Sequence, residues 1–152
     1  MSETSTEIKV FWNNFINANS KLEYLRQREI DAWSFGNTPE MADHLVGLVL
    51  AGKKIATCSL LRVYQDESIA IPSVGVYSII CDGRNHPKCV VFYTDTFICK
   101  FNEVTEKHAY EEGEGDQTLS YWQKVHREFF EPYGNFRENE ELLCERFRVV
   151  YK

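Results

Sequence analysis

The apolar residues of this chain change their spacing twice, and this change constrains the fold more than any other feature. Near the start they recur every three to four positions, which predicts an amphipathic helix through Ile8, Phe11, Trp12, Phe15 and Ile16. In the middle of the chain they gather in short runs rich in β-branched and aromatic residues, which is typical of strands. Helical spacing then returns, and strands flanked by helices predict an α+β fold.

Residues that begin and end helices mark two further helices. Thr38 can cap one of them, and Gly52 suits the left-handed position after its end. Another helix follows Asp116 or Thr118, either of which can cap it. A shorter helical stretch covers about residues 103–110.

Five short segments have the composition of strands. They are Ile55–Leu61, Gly75–Cys81, Lys88–Tyr93, Thr96–Phe101 and Leu142–Tyr151. The turn residues between 82 and 85 favour a hairpin linking the second and third of these segments. We therefore expect a mostly antiparallel sheet that closes into a small β-barrel flanked by helices.

The length of 152 residues predicts one domain, residues 1–152, with a helical extension over about residues 1–30. The net charge of −6 argues against charge-driven binding to a long phosphate backbone, although a local basic cleft remains open. The apolar runs are too short to span a membrane and the first residues do not read as a leader, so we expect a cytoplasmic location. The oligomeric state is left open.

Five cysteines are present, and their spacing is unlike that of a metal-binding motif. An odd number of cysteines in a cytoplasmic chain predicts free thiols, most of them buried. We therefore expect neither a metal centre nor a cofactor.

The stretch from Gly52 to Ser59 places two lysines and a threonine where a helix ends and a strand begins, a junction at which sites are common. Lys54 and Thr57 would point to opposite faces of a straight strand, so they converge only if Lys54 still lies in the turn. The alternative is that Lys53 and Lys54 are solvated and favoured by the negative end of the helix dipole.

Four acidic residues and two glycines form the loop 111–116. One interpretation is a solvated linker that ends in a helix cap. Another is that one carboxylate turns inward and holds a lysine. A divalent metal site is the least favoured alternative, because the loop lacks the ligand spacing of an EF-hand.

Glu145 interrupts an apolar face of the last predicted strand, whereas Arg146 and Arg148 belong to its opposite face. A buried carboxylate needs a cationic partner or a raised pKa, so Glu145 is either half of an ion pair or a catalytic group. The two arginines either bind phosphate or remain solvated.

Aromatic and histidine side chains supply further candidates. Trp33 lies in a predicted loop, where it stacks on a nucleobase if exposed or holds the loop in place if buried. His126 lies on the apolar side of its helix and is expected to be a core residue. His108 stands beside the acidic loop and is a candidate for proton transfer.

Four segments occur in a characteristic order: residues 33–36 (WSFG), 51–57 (AGKKIAT), 112–116 (EGEGD) followed by 121–122 (YW), and 144–150 (CERFRVV). As a set they resemble the longer bacterial members of the ASCH domain family, which belongs to the PUA-like superfamily. The resemblance runs from about residue 30 to the C-terminus. It implies a small β-barrel with flanking helices and a cleft suited to RNA or a modified nucleobase.

The resemblance also implies roles for particular residues. A small bacterial amidohydrolase of the family removes the acetyl group from acetylated cytidine, and its catalytic stretches are similar to residues 52–57 and 108–112. This nominates Lys54, Thr57 and Glu112 as catalytic, with Lys54 either a base for the Thr57 hydroxyl or a charge stabiliser. The candidate substrate-binding residues are Lys53, Trp33, Ser59, Glu145 and Arg146.

This chain has Ser59 where the family often has an arginine, so Arg62, Arg146 or Arg148 would have to make that contact. Other members of the family imply two alternatives to amide hydrolysis, namely a single-strand-specific ribonuclease and a non-catalytic RNA-binding module. In each case the expected ligand is RNA or a modified nucleoside, bound without a cofactor.

Overall fold

Helices and strands alternate along residues 4–152, the part of the chain that this computed structural model describes. The α-helices are α1 (Thr6–Asn17), α2 (Pro39–Leu50), α3 (Leu61–Asp66), α4 (Glu106–Glu112) and α5 (Leu119–Phe130). The strands are β1 (Ala32–Ser34), β2 (Ala56–Leu60), β3 (Tyr77–Cys81), β4 (Pro87–Lys100) and β5 (Glu141–Tyr151). Short 3₁₀-helices cover Ser20–Gln27, Phe101–Glu103 and Glu131–Tyr133. The α+β class predicted from the sequence is confirmed.

The strands form one mixed sheet in the order β1-β3-β4-β5-β2. β3 pairs with β4 and β5 pairs with β2 in antiparallel fashion, whereas β1 runs parallel to β3. The expected barrel is wrong, because β1 and β2 remain the two edges of this sheet and closure would require them to pair. β1 has only three residues, which offers few backbone groups for a closing ladder.

The described residues divide into two units, each built from segments that are distant in the sequence. The first unit comprises residues 4–50, 77–92 and 149–152, and the second unit comprises residues 51–76 and 93–148. That the whole chain is one domain with an N-terminal helical extension stays a prediction.

In the first unit, α1 packs the apolar face that its spacing predicts against β3 and β4. The Ser5 side chain caps the helix by accepting a hydrogen bond from the backbone amide of Ile8 at 3.2 Å. Eight buried residues form this core, and each large apolar side chain among them contributes roughly 1.5–3 kcal/mol by leaving water. They are Ile8, Trp12, Phe15, Ile16, Leu25, Ile79, Cys81 and Val90.

Both predicted boundaries of α2 are confirmed. The hydroxyl of Thr38 accepts a hydrogen bond from the backbone amide of Met41 at 3.1 Å, as a helix cap does. Gly52 has a φ of +76°, the left-handed conformation that ends a helix with little strain when the residue is glycine. The segment that follows Gly52 leads directly into β2.

In the second unit, α4 and α5 pack against the face of β2 and β5 that carries Cys58 and Cys144. Thr105 caps α4 and Thr118 caps α5, and the predicted start of α5 is thereby confirmed. The buried core of this unit consists of Leu60, Phe101, Val104, Ala109, Trp122, Phe130, Leu142 and Cys144.

Two segments differ from their predicted structure. The predicted strands Lys88–Tyr93 and Thr96–Phe101 are merged in one strand, β4, which ends at Lys100, because the polar residues Thr94 and Asp95 expose their side chains without interrupting the strand. Trp33 lies in strand β1 and not in a loop, since β1 pairs with β3 in parallel.

The five cysteines are free thiols, three of them buried and two partly buried, as the sequence predicts. Among the described residues, each helix is too short or too polar to cross a bilayer. The cytoplasmic location stays a prediction.

Gly113 ends α4 and sets the close approach of its loop to the segment before β2. Its φ is +74°, and a Cβ atom there would overlap the backbone carbonyl of Lys53. Gly52, which follows the end of α2, has a similar φ of +76°, but a Cβ atom there would meet no atom within 4 Å. Replacing each glycine by alanine therefore distinguishes the cost of a left-handed backbone from the cost of a steric overlap.

We expect Gly113→Ala to lower the free energy of unfolding by about 3 kcal/mol, from left-handed strain and overlap together. Gly52→Ala should lower it by only about 1 kcal/mol, because left-handed strain alone applies. Urea denaturation followed by tryptophan fluorescence measures both. Equal losses in the two variants would show that the loop does not press on residues 53 and 54.

Candidate functional site

The carboxylate of Glu112, at the end of α4, is the centre of a buried polar cluster. Its Oε2 atom lies 2.7 Å from Nε2 of His108 and accepts a hydrogen bond from Nε1 of Trp122 at 2.8 Å. Its Oε1 atom lies 3.4 Å from Nζ of Lys54 and 3.3 Å from Nε2 of His126. The side chain of Glu112 is only 1% exposed, so these groups replace its hydration.

Helical spacing brings these groups together. His108 and Glu112 are four residues apart on α4, and Trp122 and His126 are four residues apart on α5, so each pair shares one helix face. The rings of Trp122 and His126 stack with centroids 4.3 Å apart. The Nδ1 atom of His126 lies 2.8 Å from the backbone oxygen of Trp122 and so donates to it.

Lys54 lies in the short segment between Gly52 and β2, and its ammonium points into the cluster. The Nζ atom donates to the backbone oxygen of Glu112 at 3.3 Å and to Oε2 of Glu114 at 3.1 Å, in addition to Oε1 of Glu112. Of its two carboxylate partners, Glu114 is the more exposed, at 16% of its side chain. The interpretation that a carboxylate of the acidic loop turns inward to hold a lysine is thus observed for both glutamates.

Electrostatics keep the cluster in its charged form. Burial alone would lower the pKa of Lys54, but the carboxylates of Glu114 and Glu112 outweigh it and the pKa is raised. Burial opposes the charge of Glu112 too, yet His126 and Lys54 hold its pKa well below the ordinary value of 4.5. Burial likewise opposes protonation of His126, and Glu112 outweighs it and raises the pKa.

The side chain of Thr57 is not part of this buried cluster. Cys58 belongs to the same cluster as Glu112, and successive residues of a strand point to opposite faces, so the side chain of Thr57 lies on the other face of β2. There it stands directly opposite Glu145 of β5 in the strand register, and both residues are buried. The structure thus brings Lys54 and Glu112 together and leaves Thr57 beside Glu145.

The other predicted binding residues are dispersed. Arg146 is half-buried on β5, where its Nε atom donates to Glu111 at 2.6 Å and its guanidinium lies 5.4 Å from the ring centroid of Phe97. Lys53 is exposed, and Ser59 is half-buried on β2 beside Leu143 of β5.

Trp33 belongs to the first unit, whereas the remaining predicted site residues belong to the second unit. Its ring is half-buried and packs edge-on against Phe35 with centroids 4.6 Å apart. This contact fits the interpretation in which Trp33 holds its own segment in place.

A polar surface cavity of about 300 Å³ lies elsewhere in the second unit. Arg62 and Arg137 contribute its positive charge, and Arg62 also pairs with Glu140 at 3.1 Å. Arg62, a candidate replacement for the family arginine, thus lines this cavity; Lys54 and Glu112 do not.

The sequence interpretation missed Glu114 as a partner of Lys54 and underestimated His126, which was expected to be only a core residue. The available signal was the spacing of four residues between His108 and Glu112 and between Trp122 and His126, which points polar edges inward on neighbouring helices. Cys58, with Glu112 and His126, completes a set whose potential metal-ligating atoms all lie within 4.8 Å of one another.

Comparison with known proteins relates this chain to a family. A family model described as the ASCH domain matches residues 31–151. A crystal structure of a protein from Enterococcus faecalis has 37% sequence identity and a TM-score of 0.85, and the match covers 95% of this chain and 88% of that chain.

Two further structures extend the comparison. The crystal structure of an ASCH domain from Lactobacillus crispatus has 29% identity and a TM-score of 0.87, covering 100% of this chain and 99% of that chain. The protein ZmASCH from Zymomonas mobilis has 13% identity and a TM-score of 0.51 over 78% of this chain and 67% of that chain, which is a likeness of fold alone. The search of curated proteins found no match.

We expect Glu112→Gln to lower the free energy of unfolding by about 3 kcal/mol at about pH 7, because it leaves buried cations without their carboxylate. The folded pKa of Glu112 is depressed, so its contribution is complete above the unfolded value near 4.5 and is lost as the pH falls through the folded pKa. The difference between wild type and variant should therefore narrow at about pH 3.

Urea denaturation at both pH values checks this expectation. The matched control is Glu138→Gln, which neutralises an exposed carboxylate paired with Arg127 and should change stability little at either pH. A Glu112→Gln difference that stays constant at low pH would contradict an ionised Glu112 in the folded chain.

Proposed function

Because this chain belongs to the ASCH domain family, we propose that it binds a nucleoside, either free and modified or within single-stranded RNA, through the cation of Lys54. The observation that carries the proposal is the position of that cation. Lys54 is a buried ammonium at the end of a turn, held by oxygen atoms at 3.1 to 3.4 Å beside the glycine-flanked carboxylate of Glu114.

The burial of this ion pair supports a role in recognition. Removing two charges from water costs about as much as their attraction returns, so such a pair is weak evidence for a purely stabilising role. Perturbed ionisable groups cluster at functional sites more often than elsewhere. Because the net charge of the chain is −6, any favourable contact with an anionic ligand must be local.

The charge state of Lys54 favours a binding role over that of a base. Since its pKa is raised, the ammonium keeps its proton at neutral pH and serves as a hydrogen-bond donor and fixed positive charge. A base carbonyl, an acyl oxygen or a phosphate oxygen could accept from it. A base carbonyl is present in both ligands, whereas the acyl oxygen belongs to the acylated nucleoside and the phosphate oxygen to RNA.

Glu114 occupies the place that such an oxygen would take. Its carboxylate is the more exposed of the two that contact Lys54, and it lies one residue beyond Gly113. Glu112, by contrast, is buried and already surrounded by donors from both helices. We infer that a ligand oxygen replaces Glu114 on the ammonium while Glu112 stays in place.

Amide hydrolysis with Thr57 as nucleophile has less support than binding. Thr57 lies on the face of β2 opposite the cluster, and its neighbour across the strand pair is Glu145. A hydroxyl nucleophile needs a base within hydrogen-bond reach, and Lys54 is both protonated and engaged elsewhere. The proposed function is therefore binding that does not require turnover.

The first test compares the substitutions Lys54→Met and Thr57→Val, both of which lie in the second unit. Lys54→Met should weaken binding of a labelled single-stranded RNA or of acetylated cytidine by about 10- to 100-fold, the value of a hydrogen bond to a charged group. Thr57→Val should leave affinity unchanged. Fluorescence anisotropy measures the RNA, calorimetry measures the nucleoside, and chromatography detects any product.

Lys88→Met is the control for charge, since it removes an exposed lysine of the first unit. Release of acetate by the wild type that Thr57→Val abolishes would overturn a binding role in favour of an amidohydrolase. Binding that survives Lys54→Met would remove Lys54 from the site.

A second test concerns Glu114 and does not depend on the fold of a Lys54 variant. We expect Glu114→Gln to strengthen binding of the same ligand by about tenfold, because the neutral amide competes less well for the ammonium. Anisotropy and calorimetry again give the affinities. A weaker or unchanged affinity would contradict the displacement of Glu114 by the ligand.

A further inference from the structure

Three side chains from three elements of the second unit lie close together within the buried polar cluster. Cys58 comes from β2, Glu112 from α4 and His126 from α5, and one potential ligand atom of each lies within 4.8 Å of the other two. A thiol, a carboxylate and an imidazole are the three ligand types that zinc uses in proteins. Their separation in the sequence is why their spacing gave no metal motif.

The tautomer of His126 determines which of its ring nitrogens can bind a metal ion. Its Nδ1 atom lies 2.8 Å from the backbone oxygen of Trp122, which can only accept, so Nδ1 carries a hydrogen. In the neutral ring Nε2 then presents a lone pair to Oε1 of Glu112, 3.3 Å away. Two acceptors face each other, and a positive charge between them is required, either a proton or a metal ion.

The distance between Nε2 of His126 and Oε1 of Glu112 fits a metal ion bound to both atoms. Zinc–nitrogen and zinc–carboxylate bonds of about 2.0–2.2 Å place two tetrahedral ligand atoms about 3.4 Å apart. The 3.3 Å between Nε2 of His126 and Oε1 of Glu112 already matches this edge. The bond from Nδ1 to a backbone carbonyl is the outer contact that commonly orients a metal-binding histidine.

We propose that Cys58, Glu112 and His126 bind a divalent transition-metal ion of the zinc class, with a fourth position open to a water molecule. Three protein ligands and one open position are the pattern of zinc sites that act on substrates. This site goes beyond the proposed ligand contact of Lys54, since its occupant is a metal ion.

A divalent metal ion can replace two protons of the cluster without changing its net charge. As the ion enters, the thiol proton of Cys58 and the proton between His126 and Glu112 leave to solvent. The two positive charges of the metal ion thus replace the charges of the two protons. Lys54 remains balanced by Glu114, at 3.1 Å, and His108 keeps its contact with the other carboxylate oxygen of Glu112. The buried cluster thus has the same net charge with and without the metal.

Cobalt(II) is the probe for this site, because a tetrahedral cobalt–thiolate centre absorbs in the visible and near-ultraviolet regions. Reduced, chelator-treated full-length protein should bind one equivalent of cobalt with these bands, and zinc should displace it. Cys58→Ser should abolish the thiolate band and weaken zinc affinity by at least about 100-fold. Cys99→Ser, which removes a partly buried thiol outside the cluster, should change neither.

His126→Gln supplies a second variant, which should lower zinc affinity while Cys58 is intact. Circular dichroism and urea denaturation show that each variant is folded. Absence of a stoichiometric cobalt band in the wild type, or a band that persists in Cys58→Ser, would overturn the proposal. These readouts contain no RNA or nucleoside, so they are independent of the test of Lys54.

Discussion

The second unit depends on one buried anion. The carboxylate of Glu112 is contacted by donors from α4, from α5 and from the segment before β2, so all three must be in place before its charge is compensated. A buried charge that loses one partner costs several kcal/mol, which is a large part of the stability of a small protein. The cluster therefore couples the position of two helices to that of Lys54.

Local signals account for the parts of the fold that could be predicted. Thr38, Gly52 and Thr118 stand at helix boundaries because capping geometry depends on only a few neighbouring residues. The pairing of a lysine with the acidic loop was one of three interpretations that the sequence allowed, beside full solvation and a divalent metal site. Gly113 explains why that loop reaches Lys54, because its missing side chain leaves room for the carbonyl of Lys53.

Features that depend on distant residues could not be predicted in this way. The polar pair Thr94 and Asp95 has the composition of a turn, yet β4 continues through it because neighbouring strands set its course. Whether a sheet closes depends on its two edge strands, and nothing local to β1 or β2 specifies that pairing. The residue opposite Thr57, Glu145, follows from the register between β2 and β5, which is again a relation between distant segments.

The proposed ligand contact and the proposed metal site depend on the same buried charges. Lys54 contributes one positive charge and Glu112 and Glu114 one negative charge each, so the group carries an excess negative charge that its buried position disfavours. The structure supplies the missing charge at His126, whose pKa is raised because Glu112 outweighs the burial of the ring. A proton at His126, the proposed metal ion shared with Cys58, and the proposed ligand oxygen in place of Glu114 would each reduce this excess negative charge. The residues that we propose to recognise a ligand are therefore among those that compensate the buried charges of the second unit.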